Sequence, residues 1–502
     1  MGMLRRTLYF CFALTVCVMF FLACSDDDKI VIPPNLCIDN DGDGYGENCL
    51  PGPDCNDDHA DHWSDCDTCQ DKDEDGYGVG DNFCNREEED CDESDPAIHP
   101  TASEACDGKD NDCDGDIDEE EVVVFADANI ELKVREAIGR PTGDILNSDL
   151  INSPTDLDLS LLRINDLSGL EYCIALTNLN LKSNMISYMA PLSWLTCLET
   201  LNMSDNCFNK VKNIFPLYVL TDLTYLNLNY SEINDISPLS TLTDLTYLDL
   251  GSNKINDISP LSTLTNLTDL NLWDNEISDI SPISVLTNLK ELFLNANDII
   301  DISPLSVLTN LTFLNLGDNE ISDISSLSVL TNLTDLNLGS NKINDISPLS
   351  TLTNLTYLSL GYNEISDISS LLVLTNLTYL SLGDNEIIDF SSLSVLTNLS
   401  NLRLNDNQIS DISFLSALTN LTQLYLRSND IIDISSLSGL IHLTYLNLED
   451  NQISDISSIS VLSNLTALRL TDNNLDESDC TDICKFIYNG VEVSIDVSCS
   501  CD

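Results

Sequence analysis

The chain has 502 residues, 43% of them hydrophobic, and sets 84 acidic residues against 20 basic ones, a net charge of −64. That balance excludes sequence-independent binding to nucleic acid, which needs the opposite sign; it leaves solubility, cations or a partner with basic patches as its meaning. The composition is split, with acid and cysteine crowding the first 121 residues and leucine dominating the rest.

Residues 1–24 carry Arg5 and Arg6, an apolar run from Leu8 to Phe21, and a stop at Leu22-Ala-Cys24. This reads as an export signal. Phe21-Leu-Ala-Cys24 resembles the lipobox of bacterial lipoproteins, which implies that Cys24 is acylated and becomes the mature N-terminus. Phe21 departs from that pattern, whose slot usually holds a smaller aliphatic residue. The other reading is an uncleaved anchor, for which the run is slightly short. Either reading exports and tethers the protein. The acidic Ser25-Asp-Asp-Asp28 resembles a surface-sorting signal, so the expected location is the bacterial envelope, at the outer membrane or cell surface. Residues 25–36 form a linker with Pro33-Pro34.

Residues 37–121 hold little apolar material, so they fold only if metals or disulfides replace the missing hydrophobic contribution. The stretch Cys37-Ile-Asp39-Asn-Asp41-Gly-Asp43-Gly44-Tyr45-Gly46 recurs 32 residues later as Cys69-Gln-Asp71-Lys-Asp73-Glu-Asp75-Gly76-Tyr77-Gly78. Alternating aspartates ahead of a glycine place carboxylates around a tight turn, which suits a hard cation such as calcium. A third site is more complete: Asp110, Asp112, Asp114, Gly115, Asp118 and Glu121 fit an EF-hand-type loop. In the first two copies Leu50 and Asn82 stand where the closing Glu belongs, leaving Asp54, Asp57, Asp90 and Asp92 as candidates for the last ligand. A solvated acidic linker is the alternative reading. Asp-x-Asp-Gly-Tyr-Gly and Glu104-Ala-Cys106-Asp-Gly-Lys-Asp-Asn-Asp112-Cys113-Asp-Gly resemble the metal-binding motif of MopE-like bacterial surface proteins. The resemblance implies calcium-stabilised, disulfide-bonded modules and, in one branch, copper binding. Copper, the lesser expectation, has only His59, His62 and His99 to use.

Besides Cys24, nine cysteines lie between Cys37 and Cys113, three (Cys173, Cys197, Cys207) follow, and four (Cys480, Cys484, Cys499, Cys501) stand at the end. Export makes disulfides the default. Cys106 with Cys113 is a local bridge candidate, although connectivity is not deducible from spacing.

Residues 122–156 read as an end cap. Asp127-Ala-Asn129 caps a helix whose Ile130, Val134 and Ile138 share one face, with Gly139 and Pro141 ending it, and a second short helix starts near Ser148. Over 157–475 a unit such as Leu245-Thr-Tyr-Leu248-Asp-Leu250-Gly-Ser-Asn253 repeats. The marker asparagine recurs every 22 residues from Asn253 to Asn473, and Leu162, Asn184, Asn206 and Ser231 hold the slot before it. A step of 25 before Ser231 marks an insertion, and the count is 15 repeats. Fixed self-similarity in the pattern L-x-x-L-x-L-x-x-N is that of leucine-rich repeats. The fold expected is an α/β solenoid, a horseshoe or arc with parallel strands on its concave face and stacked asparagine amides satisfying the turns. Asp257-Ile-Ser-Pro260 suits a capped helical turn on the convex side. The aspartate column from Asp235 to Asp455 reads either as turn caps or as cation sites in series, and the threonine rows either as strand-edge packing or as an ice-binding lattice. Residues 476–502 form a second cap: a helix bearing Cys480 and Cys484, then a strand over 491–497, with Cys499 and Cys501 placed for two bridges.

Phe125-Ala-Asp-Ala-Asn-Ile130, Gly143-Asp-Ile145 and Ser148-Asp-Leu150, with the repeats Leu-Thr-Asn-Leu-Thr and Asn-x-Ile-x-Asp-Ile-Ser-Pro-Leu, resemble internalin-like bacterial leucine-rich-repeat proteins. In any solenoid, function falls to the outward strand slots, since the leucines are committed to the core. Six, four and two residues before the marker these hold Tyr225, Tyr247, Trp273, Phe293, Phe313, Tyr357, Tyr379, Tyr425 and Tyr445, with Arg403, Arg427 and Arg469 adding scarce positive charge. Aromatic rows serve protein interfaces as anchors and sugars as stacking platforms, while tyrosine is also simply a good strand residue. No triad, phosphate loop or HExxH motif occurs, and His442 is the lone histidine of the repeats. The expected function is non-enzymatic: surface binding or adhesion to a protein ligand, or to a glycan, through the concave face. The alternative is a metal-binding structural lipoprotein whose repeats are a scaffold.

Overall fold

The computed structural model describes residues 122–501 except 187 and 207–212, together with 91, 92, 94–96, 98–100, 111 and 113. The export signal, Cys24, Cys207 and the expected metal ligands Asp39, Asp41, Asp43, Asp71, Asp73, Asp75, Asp110, Asp112, Asp114, Asp118 and Glu121 lie outside the described residues, whereas the candidates Asp92 and His99 are among them. The chain divides into two compact units, 1–120 and 121–502.

In the first unit Cys91 pairs with Cys113, with 5.6 Å between their Cα atoms, so the expected Cys106–Cys113 bridge is replaced. In the same unit the His99 N–H donates to the Asn111 carbonyl (2.8 Å).

The second unit opens with helix α1 (Ala128–Ile138). Asp127 caps it by accepting from Asn129 N–H, Gly139 ends it in the left-handed conformation, and Ile130 and Val134 are buried. Asn147–Asp149 forms a short 3-10 turn. From there each coil repeats one plan: a three-residue strand, a sharp turn at the marker, a 3-10 turn and a return. The strands run from β1 (Asp156–Asp158) through β15 (Ala467–Arg469) to β16 (Glu492–Ser494). All 16 lie in sequence order in one parallel sheet, each register stepping slot onto slot, as in Tyr357↔Tyr379.

The core is continuous from Val123 to Val491. A representative coil supplies Leu245, Leu248, Leu250, Ile255, Ile258, Leu261 and Leu264, each at most 1% exposed. None could be buried by its own coil, so stability arises from stacking. On the return side Ser259–Thr263 and its copies are 3-10 turns rather than α-helical ones, since five residues leave room only for the tighter i→i+3 closure.

Three polar ladders run through the stack. Asn319 shows the first: its amide donates to the carbonyls of Leu294 (3.0 Å), Leu316 (3.1 Å) and Gly317 (3.2 Å) and accepts from Ile299 N–H (3.0 Å). The threonine rows spend their hydroxyls on the preceding coil, Thr268 Oγ1 on the Thr246 carbonyl and Thr246 Oγ1 on that of Thr224, both at 3.1 Å. That is strand-edge packing, and the lattice reading has no support from it. The aspartate column enters the 3-10 turns: Asp257 Oδ1 accepts from Ser259 N–H at 2.9 Å and Asp323 Oδ1 from Ser325 N–H at 2.8 Å. Those backbone bonds hold the Asp257 and Asp323 carboxyls below the ordinary value of 3.8. Among the described residues no cluster of metal-ligating side chains is present.

The C-terminal end is sealed as its spacing implied. Helix α2 (Cys480–Tyr488) is bridged by Cys480–Cys499 and Cys484–Cys501, and the strand after it is shorter than expected, covering only Glu492–Ser494. Cys173 and Cys197, expected in disulfides, are free thiols. Cys173 is a core residue whose thiol is pushed up to about 12 by burial, with the Glu171 charge adding to it.

Because each marker amide serves two coils, its loss strands backbone groups in both. Asn319→Ala should lower unfolding stability by about 1–3 kcal/mol, read from urea denaturation. A midpoint unchanged from the parent would show that the ladder is incidental to the stack.

Candidate binding face

The outward strand slots form three parallel columns on the concave side. In-register strands place equivalent slots about 4.8 Å apart, close enough for side chains of successive coils to touch along each column. All twelve expected site residues fall on these columns; eleven are half-buried and Arg427 is exposed.

The aromatic residues gather in pairs. Tyr225 and Tyr247, and Tyr357 and Tyr379, are direct register partners whose rings stack at 4.4 and 4.2 Å with 6° and 9° between planes. Phe293 with Phe313 (4.6 Å) and Tyr425 with Tyr445 (4.8 Å) meet diagonally from adjacent columns at a tilt. The Arg403 guanidinium sits between two rings, 4.7 Å from the Tyr425 centroid and 5.5 Å from that of Tyr379. Arg469 stands apart, ion-paired to Glu492 at 2.6 Å.

Trp273 occupies the third column and lies over Gly251, where a Cβ would collide with the indole. Tyr230 packs edge-on against it at 5.5 Å. Sequence reading missed Tyr230 because it occupies the left-handed slot before the marker (φ 53°), a turn position rather than a strand slot. It also missed the amides Asn401 and Gln423, joined at 2.7 Å beside the arginine sandwich.

Where aromatics are absent, acids and amides pair across coils. Asn178 and Asn180 donate to Asp156 (2.6 Å) and Asp158 (3.0 Å), and Asn229 donates to Asp249 at 2.9 Å. A hollow of about 580 Å³ at the N-terminal end of the sheet is lined by Asp156, Asp158, Asn178, Asn180, Asn202 and Tyr225. Burial raises the Asp249 carboxyl above its ordinary value. Burial first, and the Asp249 charge second, push the Tyr247 hydroxyl above the tyrosine range. The Tyr357 hydroxyl is pushed up to about 12, by burial and then by its neighbour Tyr379. These phenols are therefore neutral at physiological pH and present hydrogen-bonding edges rather than bases. His442 lies exposed with no expected catalytic partner beside it in the repeat pattern.

Comparison with known proteins agrees with this architecture. The model "Leucine Rich repeats (2 copies)" matches residues 221–263, 265–307, 309–351, 353–395 and 397–440, and "Leucine Rich repeat" matches 439–456. Residues 90–119 match the family described as "Putative metal-binding motif". No curated protein matches the chain. Among solved structures, the functional domain of InlJ from Listeria monocytogenes, which includes a cysteine ladder, is 26% identical over 75% of this chain and 81% of its own, with a TM-score of 0.62. A leucine-rich-repeat protein of Leptospira interrogans is 25% identical over 68% of this chain and 96% of its own, with a TM-score of 0.60. An internalin of Listeria monocytogenes, InlF, is 34% identical over 75% of this chain and 97% of its own, with a TM-score of 0.54. Repeat period, marker ladder and this identity across nearly the whole of an internalin converge: the chain belongs to the internalin-like leucine-rich-repeat proteins.

Proposed function

We propose that this protein binds a protein ligand through the concave face of its repeats, at the bacterial cell surface, where it is tethered by lipid on Cys24. The observation that carries the reading is the pairing of aromatic side chains on the one face freed from core duty. Tyr, Trp and Arg are the residues that dominate interface energetics. The stacking also favours protein over glycan. A sugar stacks on an open ring face, and in Tyr357–Tyr379 and Tyr225–Tyr247 the inner faces are already spent on one another.

Capture of surface proteins by the full-length chain tests it. Tyr357→Ala with Tyr379→Ala should weaken binding of the captured proteins tenfold or more, about 1.4 kcal/mol, while costing the fold little beyond the pair's own stacking of about 0.5–1.5 kcal/mol. Ser262→Ala, on the convex side where its hydroxyl only bonds the Ser259 carbonyl, should change nothing. Undiminished binding by the double variant would reduce the aromatic rows to strand formers. Cys24→Ala should move the protein out of the membrane fraction or leave its precursor unprocessed; unchanged fractionation and mature mass would refute the anchor.

A second reading concerns the metal-binding motif, favoured by the match over residues 90–119. Its donors are hard. The loop offers Asp110, Asp112, Asp114, Asp118 and Glu121, whereas Cys91 and Cys113 are consumed by a disulfide and cannot serve as thiolates. Oxygen donors in this pattern suit calcium, and copper has only His99 and Cys106 within the match. Calorimetry on the oxidised full-length protein should show calcium binding in the range of about 10⁻⁴–10⁻³ M, with Glu121→Gln weakening one site. Absence of calcium heat at millimolar concentration would discard calcium.

A further inference from the structure

Between Lys342 and Lys485 the chain has three basic residues, Arg403, Arg427 and Arg469, and all three occupy outward slots of the concave sheet. The repeat does not demand it, since the same slots hold Asn, Asp, Ser or Gly in most coils. The three differ in how they are neutralised. Arg469 has Glu492 within its own fold. Neither Arg403 nor Arg427 pairs with a carboxylate among the described residues, in a chain where acids outnumber bases 84 to 20.

The surroundings of Arg403 are also incomplete. Its Nε is buried without a hydrogen-bond partner, and so are Asn401 Oδ1, two residues earlier on the same strand, and Asn407 Oδ1. These are all the buried side-chain polar atoms without a partner among the described residues, and all three fall in one coil. Buried polar groups are almost always satisfied, so a donor and an acceptor left open side by side on an outward-facing strand call for an explanation.

We propose that the surface around Arg403 and Arg427 docks a carboxylate-bearing segment of the protein partner, acid side chains on the arginines and apolar side chains on the ring edges of Tyr379, Tyr425 and Tyr445. This rests on the concave-face reading above and adds the chemistry of the partner. Arg427 stands one coil on and one column across from Arg403, a diagonal spacing of about 7–8 Å between backbones, which suits two acid side chains of one extended segment. A guanidinium held between aromatic rings keeps its planar donor edge for a carboxylate.

A bare lane leads to the pair. Gly317, Gly339, Gly361 and Gly383 occupy the third column in four successive coils. Their φ angles are not in the left-handed region, and the same slot carries Lys182, Trp273 and Glu449 elsewhere. The slot as such does not demand glycine, although a Cβ at Gly361 or Gly383 would lie 3.1 or 3.0 Å from a carbonyl oxygen of the next coil, and four glycines in a row leave room for a chain beside Tyr357 and Tyr379. A polyanionic glycan fits less well. Asp335 and Glu449 flank the lane in the same columns, and the exposed Asp384 and Asp406 follow it at the turns. A long anion meets all of these, whereas a short segment with a few acids meets chiefly Asp406, whose N–H donates to the Arg427 carbonyl at 2.9 Å.

Random-peptide display on the full-length protein tests the proposal. The wild type is expected to select peptides enriched in Asp and Glu next to aromatic or aliphatic residues. Arg403→Gln with Arg427→Gln should lose that enrichment and bind individual selected peptides about tenfold or more weakly. Lys254→Gln, which removes the same charge away from the columns, should bind as the parent does. Circular dichroism confirms the fold of the double variant, and Arg427→Gln alone, at an exposed position, carries the test if the double variant misfolds. No acidic enrichment, or equal capture by the arginine variants, overturns the proposal. Peptides that depend on Tyr357 and Tyr379 but not on the arginines overturn it while leaving the concave-face reading intact. Arginine-dependent capture of heparin or hyaluronate fragments without acidic peptides would reassign the site to a glycan and overturn it likewise.

Discussion

The structure depends on one amide per coil. Each strand is only three residues long and runs into a residue in the left-handed conformation, such as Ser252 (φ 51°) or Ala296 (φ 56°). That turn aims the marker asparagine inward, among carbonyls that neither strand nor 3-10 turn can satisfy. Asn297 answers them by donating to Leu272 of the coil before and to Leu294 of its own. Adopting the left-handed conformation costs a non-glycine residue about 1–2 kcal/mol, and an alanine at position 296 accepts that cost. Where the marker is Ser231, its hydroxyl reaches only the Asn229 carbonyl at 3.2 Å. That coil directly follows the three-residue insertion, so the ladder is thinnest where the period is also broken.

Fixing the backbone from inside frees the columns outside. One slot accommodates lysine, glycine, tryptophan, arginine and glutamate at positions 182, 251, 273, 427 and 449 on nearly the same strand geometry. Composition there is constrained by neighbours along the column rather than by the core. At the strand spacing, aromatic rings stack while like charges repel. Many occupants follow that rule: tyrosine meets tyrosine at 225 and 247, and Asp156 and Asp158 are followed by asparagines that donate to them, whereas the register partners Asp269 and Glu291 break it.

The solenoid was legible in the sequence because fifteen copies repeat the same demand, so that single exceptions such as Leu162 or Phe390 do not hide the period. The cap helix was legible from Asp127 and Gly139, whose end-capping roles are local. The two C-terminal bridges followed from Cys480 and Cys484 lying one helical turn apart. Columns could be assigned by counting back from the marker, which placed all twelve expected residues on the concave face. What counting could not supply was contact across columns. Phe293 meets Phe313, and Arg403 meets Tyr425, through rotamers and diagonal neighbours that no spacing encodes. The pairing of Cys113 with Cys91 instead of Cys106 is likewise a contact that no spacing encodes. The free thiols Cys173 and Cys197 show the limit of inferring bridges from export alone; Cys173, being buried, is an ordinary core residue, while Cys197 is exposed.

The charge of this protein acts differently at different ranges. A net charge of −64 governs solubility and approach, and it disfavours any strongly acidic body at a distance. At physiological ionic strength, however, exposed charges are screened beyond about 8 Å, and contact is decided by what lies within that radius. Around Arg403 that radius holds two aromatic rings and, diagonally across the sheet, the unpaired Arg427, with the lane without side chains leading away from it. Acidity spread over the whole surface and arginine held at one place on the concave face therefore do not contradict each other. The first keeps non-specific partners of like sign away, and the second gives the sheet a single place where a carboxylate is favoured over water.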